Sequence, residues 1–280
     1  MYRKAIEKGG LAVVTGAASG VGKAAAQRFI QDGLGVVLVD LAGEALDRTE
    51  AELRDQAGAS ATVQAVPTDV TDYTAVNALA DQAFALGEVA VLMNNAGIAL
   101  PTSSWENVEN WRKLLDVNLF GVMNGVHAFL PRMIKAARPA VVINTGSKQG
   151  ITTPPGNPAY NTSKAAVKVM TEMLAHDLRQ AKAEVTAHLF VPGFTYTGMI
   201  QKFMPEKPAA AWTSEETIDY LLNRMSAGDF YILCPDNDVS KARDVKRIEW
   251  AVGDIINNRP ALSRWHPDYA DAFAAHEALE

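Results

Sequence analysis

Short apolar runs alternate with amphipathic stretches along most of this chain. The first apolar run covers residues 11–14, and the stretch after it places Val21, Ala25 and Phe29 at i, i+4 and i+8. This spacing predicts a strand followed by a helix that buries one face. Similar runs recur up to about residue 234. Because they are nearly continuously apolar and are separated by helical patterns, we expect a parallel sheet with helices on both faces.

Seven runs have the length and composition of strands. They lie at residues 11–14, 35–39, 61–66, 89–93, 140–144, 184–191 and 229–234. Helices are predicted at about 43–56, from about 71, at about 105–136 with a break near Pro131, from Pro158, and at about 214–227. The pattern predicts one α/β domain over residues 1–280, doubly wound around a parallel sheet of about seven strands. We expect a core at about 9–198, a substrate lid at about 198–228 and a helical tail at about 235–280.

Composition and charge narrow the classes of partner. The 280 residues are 48% hydrophobic and 21% charged, and the net charge is −6. This is typical of a globular protein and gives no indication of nucleic acid or an anionic membrane as a partner. Cys234 is the single cysteine and no histidine–carboxylate spacing indicates a metal site, so neither a disulfide framework nor a metal is predicted. Since no apolar run approaches ~18 residues and residues 1–10 are polar, we expect no membrane span, no signal peptide and a cytoplasmic location.

A glycine-rich turn joins the first predicted strand to the first amphipathic helix. It holds Gly16, Gly20 and Gly22 in the segment Thr15-Gly16-Ala17-Ala18-Ser19-Gly20-Val21-Gly22. Glycines let the backbone approach a pyrophosphate closely, and the helix N-terminus offers unpaired N–H groups. Any tight strand-to-helix turn can also contain glycines, but this position between strand and helix is the context that a dinucleotide site requires.

Two aspartates end the next two predicted strands. Asp40 lies about 20 residues after the glycine turn, where a carboxylate can accept hydrogen bonds from both adenosine ribose hydroxyls. It would repel a 2′-phosphate, and neither Leu41 nor Ala18 supplies a cation, so we expect NAD rather than NADP. The alternative is that Asp40 caps the following helix. Asp69 could meet the adenine amino group or be the N-cap of the helix beginning near Thr71, and the two roles are compatible.

Tyr160 and Lys164 are four residues apart in a predicted helix, with Ser147 thirteen residues upstream of the tyrosine. Residues at this spacing share a helix face. A nearby ammonium favours the phenolate, so we expect it to lower the pKa of the tyrosine and make it a proton-transfer group. The alternative is an ordinary exposed pair. Gly16, Asp40, Asp69, Asn95 and Ser147 all follow predicted strands, which places the ligand at the carboxyl edge of the sheet.

The chain resembles the short-chain dehydrogenase/reductase family over about residues 9–198. The matching motifs are Thr15-Gly16-x-x-x-Gly20-x-Gly22, Asn94-Asn95-Ala96-Gly97, Asn118, Ser147, Tyr160-x-x-x-Lys164 and Pro192-Gly193. The resemblance implies a Rossmann-type fold and a catalytic set of Asn118, Ser147, Tyr160 and Lys164. Tyr160 would be the general acid/base, Lys164 would lower its pKa and hold the nicotinamide ribose, and Ser147 would bind the substrate oxygen. Asn118 would hold a water that joins Lys164 to a proton relay.

The resemblance also implies a set of cofactor contacts. The diphosphate would be held by Gly16, Ser19, Gly20, Val21 and Gly22. The ribose would be held by Asp40, and the adenine by Asp69 and Val70. The middle of the cofactor would lie against Asn95, Ala96 and Gly97. Pro192, Gly193, Thr195 and Thr197 would lie along the nicotinamide. Tyr160 and Lys164 would also touch the cofactor, which is expected to be NAD.

The chain departs from the family pattern after Thr197. The lid contains Met199, Ile200, Phe203, Met204, Pro205, Pro208 and Trp212. These residues either favour an apolar or aromatic substrate or pack the lid onto the core. Lys148 and Gln149 either contact a polar substituent or, for Lys148, face water. The long tail replaces a glycine-rich segment that supports tetramers, so a homodimer through the helices around Asn118 and Tyr160 is expected, with a tetramer as the alternative.

These features favour an NAD-dependent oxidoreductase that interconverts a secondary alcohol and a ketone. The expected partner is therefore a small alcohol or carbonyl compound. The alternative from another class is a non-catalytic NAD(H)-binding sensor or scaffold, because a fold alone does not establish catalysis. A sugar-nucleotide epimerase or dehydratase is a lesser alternative, which the glycine spacing and the chain length disfavour.

Overall fold

A computed structural model describes residues 1–58, 61–201 and 204–278, with Met199 described by its backbone alone. Its centre is a seven-stranded sheet in the order β3-β2-β1-β4-β5-β6-β7, and all neighbouring strands are parallel. The strands are β1 (Leu11–Thr15), β2 (Gly35–Asp40), β3 (Val63–Pro67), β4 (Val89–Asn94), β5 (Ala140–Thr145), β6 (Val185–Val191) and β7 (Tyr231–Leu233). The predicted sheet is confirmed, with a shorter last strand.

Helices cover both faces of the sheet. They are α1 (Tyr2–Glu7), α2 (Gly20–Gln31), α3 (Glu44–Ala57), α4 (Tyr73–Leu86), α5 (Val108–Leu115), α6 (Gly121–Lys135), α7 (Gln149–Thr152), α8 (Pro158–Gln180), α9 (Gly198–Gln201), α10 (Ser214–Ser226), α11 (Lys241–Ile256) and α12 (Ala270–Ala278). Alternate residues of each strand point to opposite faces. Val14 accordingly packs with α2, α3 and α10, whereas Val13 packs with α4, α6 and the end of α8.

The strand order reverses between β1 and β4. From β1 the chain first builds outward through β2 and β3, and it then returns to the other side of β1 with β4. At such a reversal the helices leave β1 and β4 on opposite faces, so a crevice opens at the carboxyl ends of these strands. The crevice lies next to the glycine turn at Gly16 and the segment that begins at Asn95.

The long helix predicted at 105–136 is interrupted at a different place. A π-helical segment (Asp116–Phe120) separates α5 from α6, and α6 continues through Pro131 to Lys135. The expected break at Pro131 is therefore wrong. Pro131 lies exposed in α6, which lacks only the backbone hydrogen bond that this residue would donate and continues to Lys135. Single π turns occur frequently at functional sites, and this one contains Asn118.

The tail folds back on itself as a helical unit. Trp250 of α11 is nearly buried; its ring packs on Phe273 of α12, and its indole N–H donates to Ser263. Glu277 accepts hydrogen bonds from Arg243 and Arg247 of α11.

Within the described ranges, none of the helices combines the length and apolarity needed to cross a membrane.

Candidate active site

The glycine turn forms a cradle at the N-terminus of α2. Gly16 and Gly20 have φ values of +69° and +54°, a region that L side chains rarely adopt. A Cβ on Gly22 would lie 2.1 Å from the carbonyl oxygen of Gly16, so the turn and the helix are packed too closely for a side chain. Ser19 is the N-cap without a side-chain hydrogen bond to the helix. The first N–H groups of α2 are therefore left for a ligand, as binding of a diphosphate would require.

Asp40 lies beside this turn at the end of β2. One carboxylate oxygen accepts from the N–H of Ala18 at 3.0 Å and the other from the N–H of Leu41 at 2.9 Å. The N-cap of α3 is Gly43, so the interpretation of Asp40 as a helix cap is wrong. The role of Asp40 in binding the ribose stays a prediction.

Asp69 and Val70 lie on the loop after β3. Asp69 accepts from the N–H and the hydroxyl of Thr71 at 2.9 and 2.8 Å. The N-cap of α4 is Asp72, so Asp69 shapes the loop before the helix and does not cap it. The carbonyl of Val70 accepts from Asn124 of α6 at 2.9 Å, which holds the loop against the helix that follows the π segment.

The segment after β4 is fastened by two threonines that the sequence reasoning did not assign to the site. The hydroxyl of Thr15 accepts from the N–H groups of Asn95 and Ala96 at 2.9 and 3.0 Å. The side chain of Asn95 donates to the carbonyl of Thr15 at 3.1 Å and accepts from Thr145 at 3.3 Å. Both threonines end a strand and precede a glycine, and that position was the available signal. Together they join the ends of β1, β4 and β5 beneath the crevice.

Asn118 lies fully buried in the π segment. Its amide oxygen accepts from the N–H of Ile98 at 2.8 Å, and its amide nitrogen donates to the carbonyl of Ile98 at 2.9 Å. A Cβ on Gly97 would lie 3.3 Å from the Asn118 amide oxygen and 3.7 Å from the Lys164 ammonium. The Asn118 amide and the Lys164 ammonium thus both lie next to Gly97. The water-holding role stays a prediction, while the side chain visibly fixes the segment at Ile98.

Tyr160, Lys164 and Ser147 meet at the carboxyl edge of β5. The Lys164 ammonium donates to the carbonyl of Thr145 at 2.8 Å and lies 5.8 Å from the centre of the Tyr160 ring. The Ser147 side chain lies close enough to the Tyr160 phenol to influence its pKa. Asn157 caps α8 by accepting from the N–H of Tyr160, so the cap fixes the start of the helix at the tyrosine itself.

Burial shifts the pKa of both groups. It raises the pKa of the Tyr160 phenol, and contact with Ser147 lowers it by less. Burial also lowers the pKa of Lys164 to about 8. The expected net lowering of the Tyr160 pKa by Lys164 is therefore wrong for this structure, because desolvation of the phenolate outweighs the effect of its neighbours. At pH 7 Lys164 is still mainly an ammonium, so it retains the charge that would favour a phenolate.

The segment after β6 forms the remaining wall. The lid residue Trp212 forms a β-bridge with Thr195, donates its N–H to Phe194 at 2.9 Å, and accepts from the N–H of Tyr196 at 2.8 Å. A Cβ on Gly20 would lie 3.3 Å from Thr197, so the segment from Pro192 and Gly193 to Thr197 reaches back to the glycine turn. Phe203 of the predicted lid lies outside the described residues.

A cavity of about 580 Å³ opens between the glycine turn, α3 and the lid. Its lining includes Ser19, Gly20 and Thr197 together with Arg48 of α3. Arg48 is a cation in this lining, and the prediction of NAD from Leu41 and Ala18 does not take it into account. It forms an ion pair of 3.3 Å with Glu44.

The Lys148 side chain is largely buried and pairs with two aspartates of the C-terminal region. Its ammonium forms ion pairs with Asp244 at 2.6 Å and Asp236 at 3.4 Å. The structure thus shows a contact with the C-terminal region instead of the predicted exposure to water or contact with a polar substituent of the substrate. For Gln149 the backbone N–H donates to the Ser147 hydroxyl at 3.2 Å.

The residues present fit a dinucleotide. A Cβ would come within 3.3 Å of a neighbouring atom at Gly16, Gly20 and Gly97, so these glycines keep the backbone accessible to a ligand. Asp40 lies beside the glycine turn, and the Lys164 ammonium lies beside Gly97. In the described part of the chain, no three His, Cys, Asp or Glu side chains are placed to hold a metal ion.

Comparisons with known proteins agree with this geometry. The family model described as short chain dehydrogenase matches residues 10–208. A 1-deoxy-11-beta-hydroxypentalenate dehydrogenase from Streptomyces exfoliatus is 36% identical over 240 residues, which cover 83% of this chain and 86% of the relative. An NADP-dependent (R)-specific alcohol dehydrogenase from Lentilactobacillus kefiri is 34% identical over 196 residues, or 69% of this chain and 76% of the relative.

Among solved structures, a short chain dehydrogenase/reductase from Burkholderia phymatum in complex with NAD superposes with a TM-score of 0.81. It is 31% identical, and the match covers 90% of this chain and 95% of that one. The family match spans most of the chain and includes every motif on which the site is built. The chain therefore belongs to the short-chain dehydrogenase/reductase family of oxidoreductases.

Proposed function

We propose that this protein is an NAD-dependent oxidoreductase that interconverts a secondary alcohol and a ketone. The observation that carries the proposal is the meeting of Ser147, Tyr160 and Lys164 at the carboxyl edge of the sheet, next to Gly97 and in line with the glycine turn. This edge is where an open α/β sheet binds its ligands. A binding protein would need the glycine turn but not this buried acid–base pair.

The catalytic residues have distinct roles in the proposed reaction. The Ser147 side chain lies beside the Tyr160 phenol, so the two hydroxyls together can hold the oxygen of an alcohol or carbonyl group. In alcohol oxidation Tyr160 takes the hydroxyl proton, and in carbonyl reduction it returns that proton. Lys164 contributes a positive charge that favours the phenolate during this transfer. The nicotinamide, when bound, supplies the hydride acceptor or donor.

NAD is the proposed cofactor because of Asp40. A 2′-phosphate next to this carboxylate would bring two anions together, whereas two ribose hydroxyls can donate to it. The NAD complex of the Burkholderia relative supports the proposal. The alternative is NADP, which the Lentilactobacillus relative uses according to its name, and which Arg48 in the adenosine-end cavity would favour.

An apolar substrate is proposed from the lid. Trp212 and Ile200 are partly buried, and Met204 is half-exposed, with its carbonyl accepting from the Tyr196 hydroxyl at 3.1 Å. Apolar side chains at the mouth of a site favour apolar ligands. The Streptomyces relative acts, by its name, on a hydroxypentalenate, which supports an alcohol as the substrate.

A homodimer is proposed from the surface next to the site. Phe120 of the π segment and Val169 and Met173 of α8 are exposed by 44%, 55% and 57%. Val169 and Met173 are four residues apart and share one face of α8. An apolar patch formed by the helices that contain Asn118 and Tyr160 is suited to pairing with a second copy.

The direct test measures absorbance at the NADH band with purified protein, NAD or NADP, and a panel of secondary alcohols. We expect turnover with NAD and an apolar secondary alcohol. Tyr160→Phe should lower kcat by about 10³-fold or more, because a proton-transfer group is lost. Its NADH Kd should stay within twofold, since the phenol hydroxyl contributes little to holding the dinucleotide. Lys168→Met, on the same helix but in the Lys168–Glu172 ion pair, is the control and should keep wild-type kcat.

Two outcomes would contradict the proposal. Wild-type rates in Tyr160→Phe would refute the mechanism. Tight NADH binding without turnover on any alcohol would instead support the sensor or scaffold.

A further inference from the structure

The residue after the catalytic serine is connected to the C-terminal tail. The Lys148 ammonium lies 2.6 Å from Asp244 of α11 and 3.4 Å from Asp236 on the loop between β7 and α11. Both carboxylates are 6% exposed and the Lys148 side chain is 20% exposed. We propose that Lys148 is a positioning residue, which holds the Ser147 hydroxyl in place by joining its loop to α11. The proposal rests on the proposed dehydrogenase function for its kinetic part only.

The serine loop needs such a support because it is locally weak. The Ser147 hydroxyl accepts from the Gln149 N–H at 3.2 Å, and the carbonyl of Ser147 accepts from the Gly150 N–H at 3.0 Å. These hydrogen bonds are local, and a four-residue helix has little stability of its own beyond its packing on α8 at Gly150. Lys148 adds a connection to residues about 90 positions further along the chain.

The acidic side of the connection reaches the rest of the substrate wall. A carboxylate oxygen of Asp236 accepts from the N–H of Phe194 at 3.2 Å, so the same carboxylate holds both Lys148 and the segment after β6. The next residue, Asn237, accepts from the indole N–H of Trp212 at 3.0 Å. The loop at 235–239 therefore joins three parts of the substrate wall: the serine loop, the segment after β6 and the lid.

The charges make this arrangement sensitive to substitution. Two nearly buried carboxylates share one ammonium, and removal of the ammonium would leave both without their cation. Burial raises the pKa of the Asp244 carboxyl and Lys148 lowers it, so the pair is held together against a desolvation cost. We therefore expect the loop to move when either partner is changed, and a movement of about 1 Å at a catalytic group lowers the rate by about 10²-fold.

The test compares Lys148→Met, Lys148→Arg, Asp244→Asn and the double variant Lys148→Met/Asp244→Asn. The readouts are kcat, KM, the NADH Kd by calorimetry and amide hydrogen exchange over residues 147–152. We expect Lys148→Met to lower kcat by about tenfold or more, with the NADH Kd within twofold and faster exchange at 147–152. Lys148→Arg should recover part of kcat, since it keeps the charge. The two single changes should be non-additive in kcat, because both break the contact between Lys148 and Asp244.

Lys168→Met is the matched control, since it removes a lysine from an ion pair on α8 without touching the tail. Asp244→Asn provides the test if Lys148→Met fails to fold, because Asp236 still pairs the ammonium. A folded Lys148→Met or Asp244→Asn protein with wild-type kcat and unchanged exchange would overturn the proposal. In a further outcome the wild type oxidises no alcohol while Lys148→Met still exchanges faster over residues 147–152. That result would refute the proposed function and leave the connection between Lys148 and α11 standing.

Discussion

Gly150 is a position at which the close packing beside the catalytic serine can be tested. It lies buried in α7, and its backbone is helical, so alanine is conformationally allowed there. A Cβ would nevertheless lie 2.4 Å from the carbonyl carbon and 2.6 Å from the carbonyl oxygen of Lys164. Both are backbone atoms of α8 and cannot rotate away. Since an ordinary contact is about 3.5 Å, Gly150→Ala must separate the two helices by about 1 Å.

The direction of the movement follows from the lengths of the helices. Helix α8 has 23 residues and is packed on the sheet, whereas α7 has 4. The strain is therefore relieved by α7, which moves Ser147 away from Tyr160. A 1 Å displacement of a catalytic group lowers the rate by about 10²-fold, and overpacking of this size lowers the free energy of unfolding by about 1–3 kcal/mol.

The assay measures kcat for the best alcohol of the panel, the NADH Kd and the denaturant midpoint. We expect kcat to fall by about 10²-fold, with the NADH Kd within threefold, because α7 does not line the glycine turn. Gly87→Ala is the control, since a Cβ there would make only ordinary 3.7 Å contacts with Leu11 at the other end of the sheet. A folded Gly150→Ala protein with kcat within threefold of wild type would refute the claim that the separation of α7 and α8 sets the catalytic geometry.

Two further predictions concern cofactor choice and acid stability. Asp40→Ala should reduce the preference for NAD over NADP by about tenfold or more, since a charge repulsion is removed; Asp40→Ala/Arg48→Ala should gain less NADP activity. An unchanged ratio of kcat/KM values would remove the basis for assigning NAD. Arg243 and Arg247 lower the pKa of Glu277 to about 2, so the stability it contributes is complete above about pH 4.5 and is lost as the pH falls towards 2. Glu277→Gln should therefore lower Tm more at pH 6 than at pH 3, and an equal shift at both values would contradict this assignment.

The sheet and the glycine turn could be predicted because their determinants are local. An apolar run of 4–8 residues bounded by helical patterns is sufficient to indicate a buried strand, and Gly16, Gly20 and Gly22 stand at a spacing that few other structures require. The boundaries differ by one or two residues at most ends, as between 184–191 and Val185–Val191. The last strand is shorter than its apolar run because only Tyr231–Leu233 pairs with β6.

The features that were not predicted depend on contacts between distant parts of the chain. Nothing in the sequence near Lys148 indicates Asp244 as its partner. The π segment around Asn118 has no local signature either, and its Gly121 is required by contact with Val70, whose side chain a Cβ would approach to 2.8 Å. The pKa of Tyr160 differs from the prediction for a related reason. Spacing on the helix reveals a charged neighbour, whereas burial depends on the whole fold.

The burial of Lys164 is an argument for catalysis over mere binding. Its side chain is 4% exposed, its ammonium donates to a backbone carbonyl at 2.8 Å, and burial lowers its pKa to about 8. Such a site destabilises the charged form, and therefore the fold, at neutral pH. Hydrogen bonds to ribose hydroxyls alone could be made by a neutral side chain at a lower cost in stability. A cation held beside a buried tyrosine is explained if the tyrosine must lose its proton during the reaction, which a sensor or scaffold does not require.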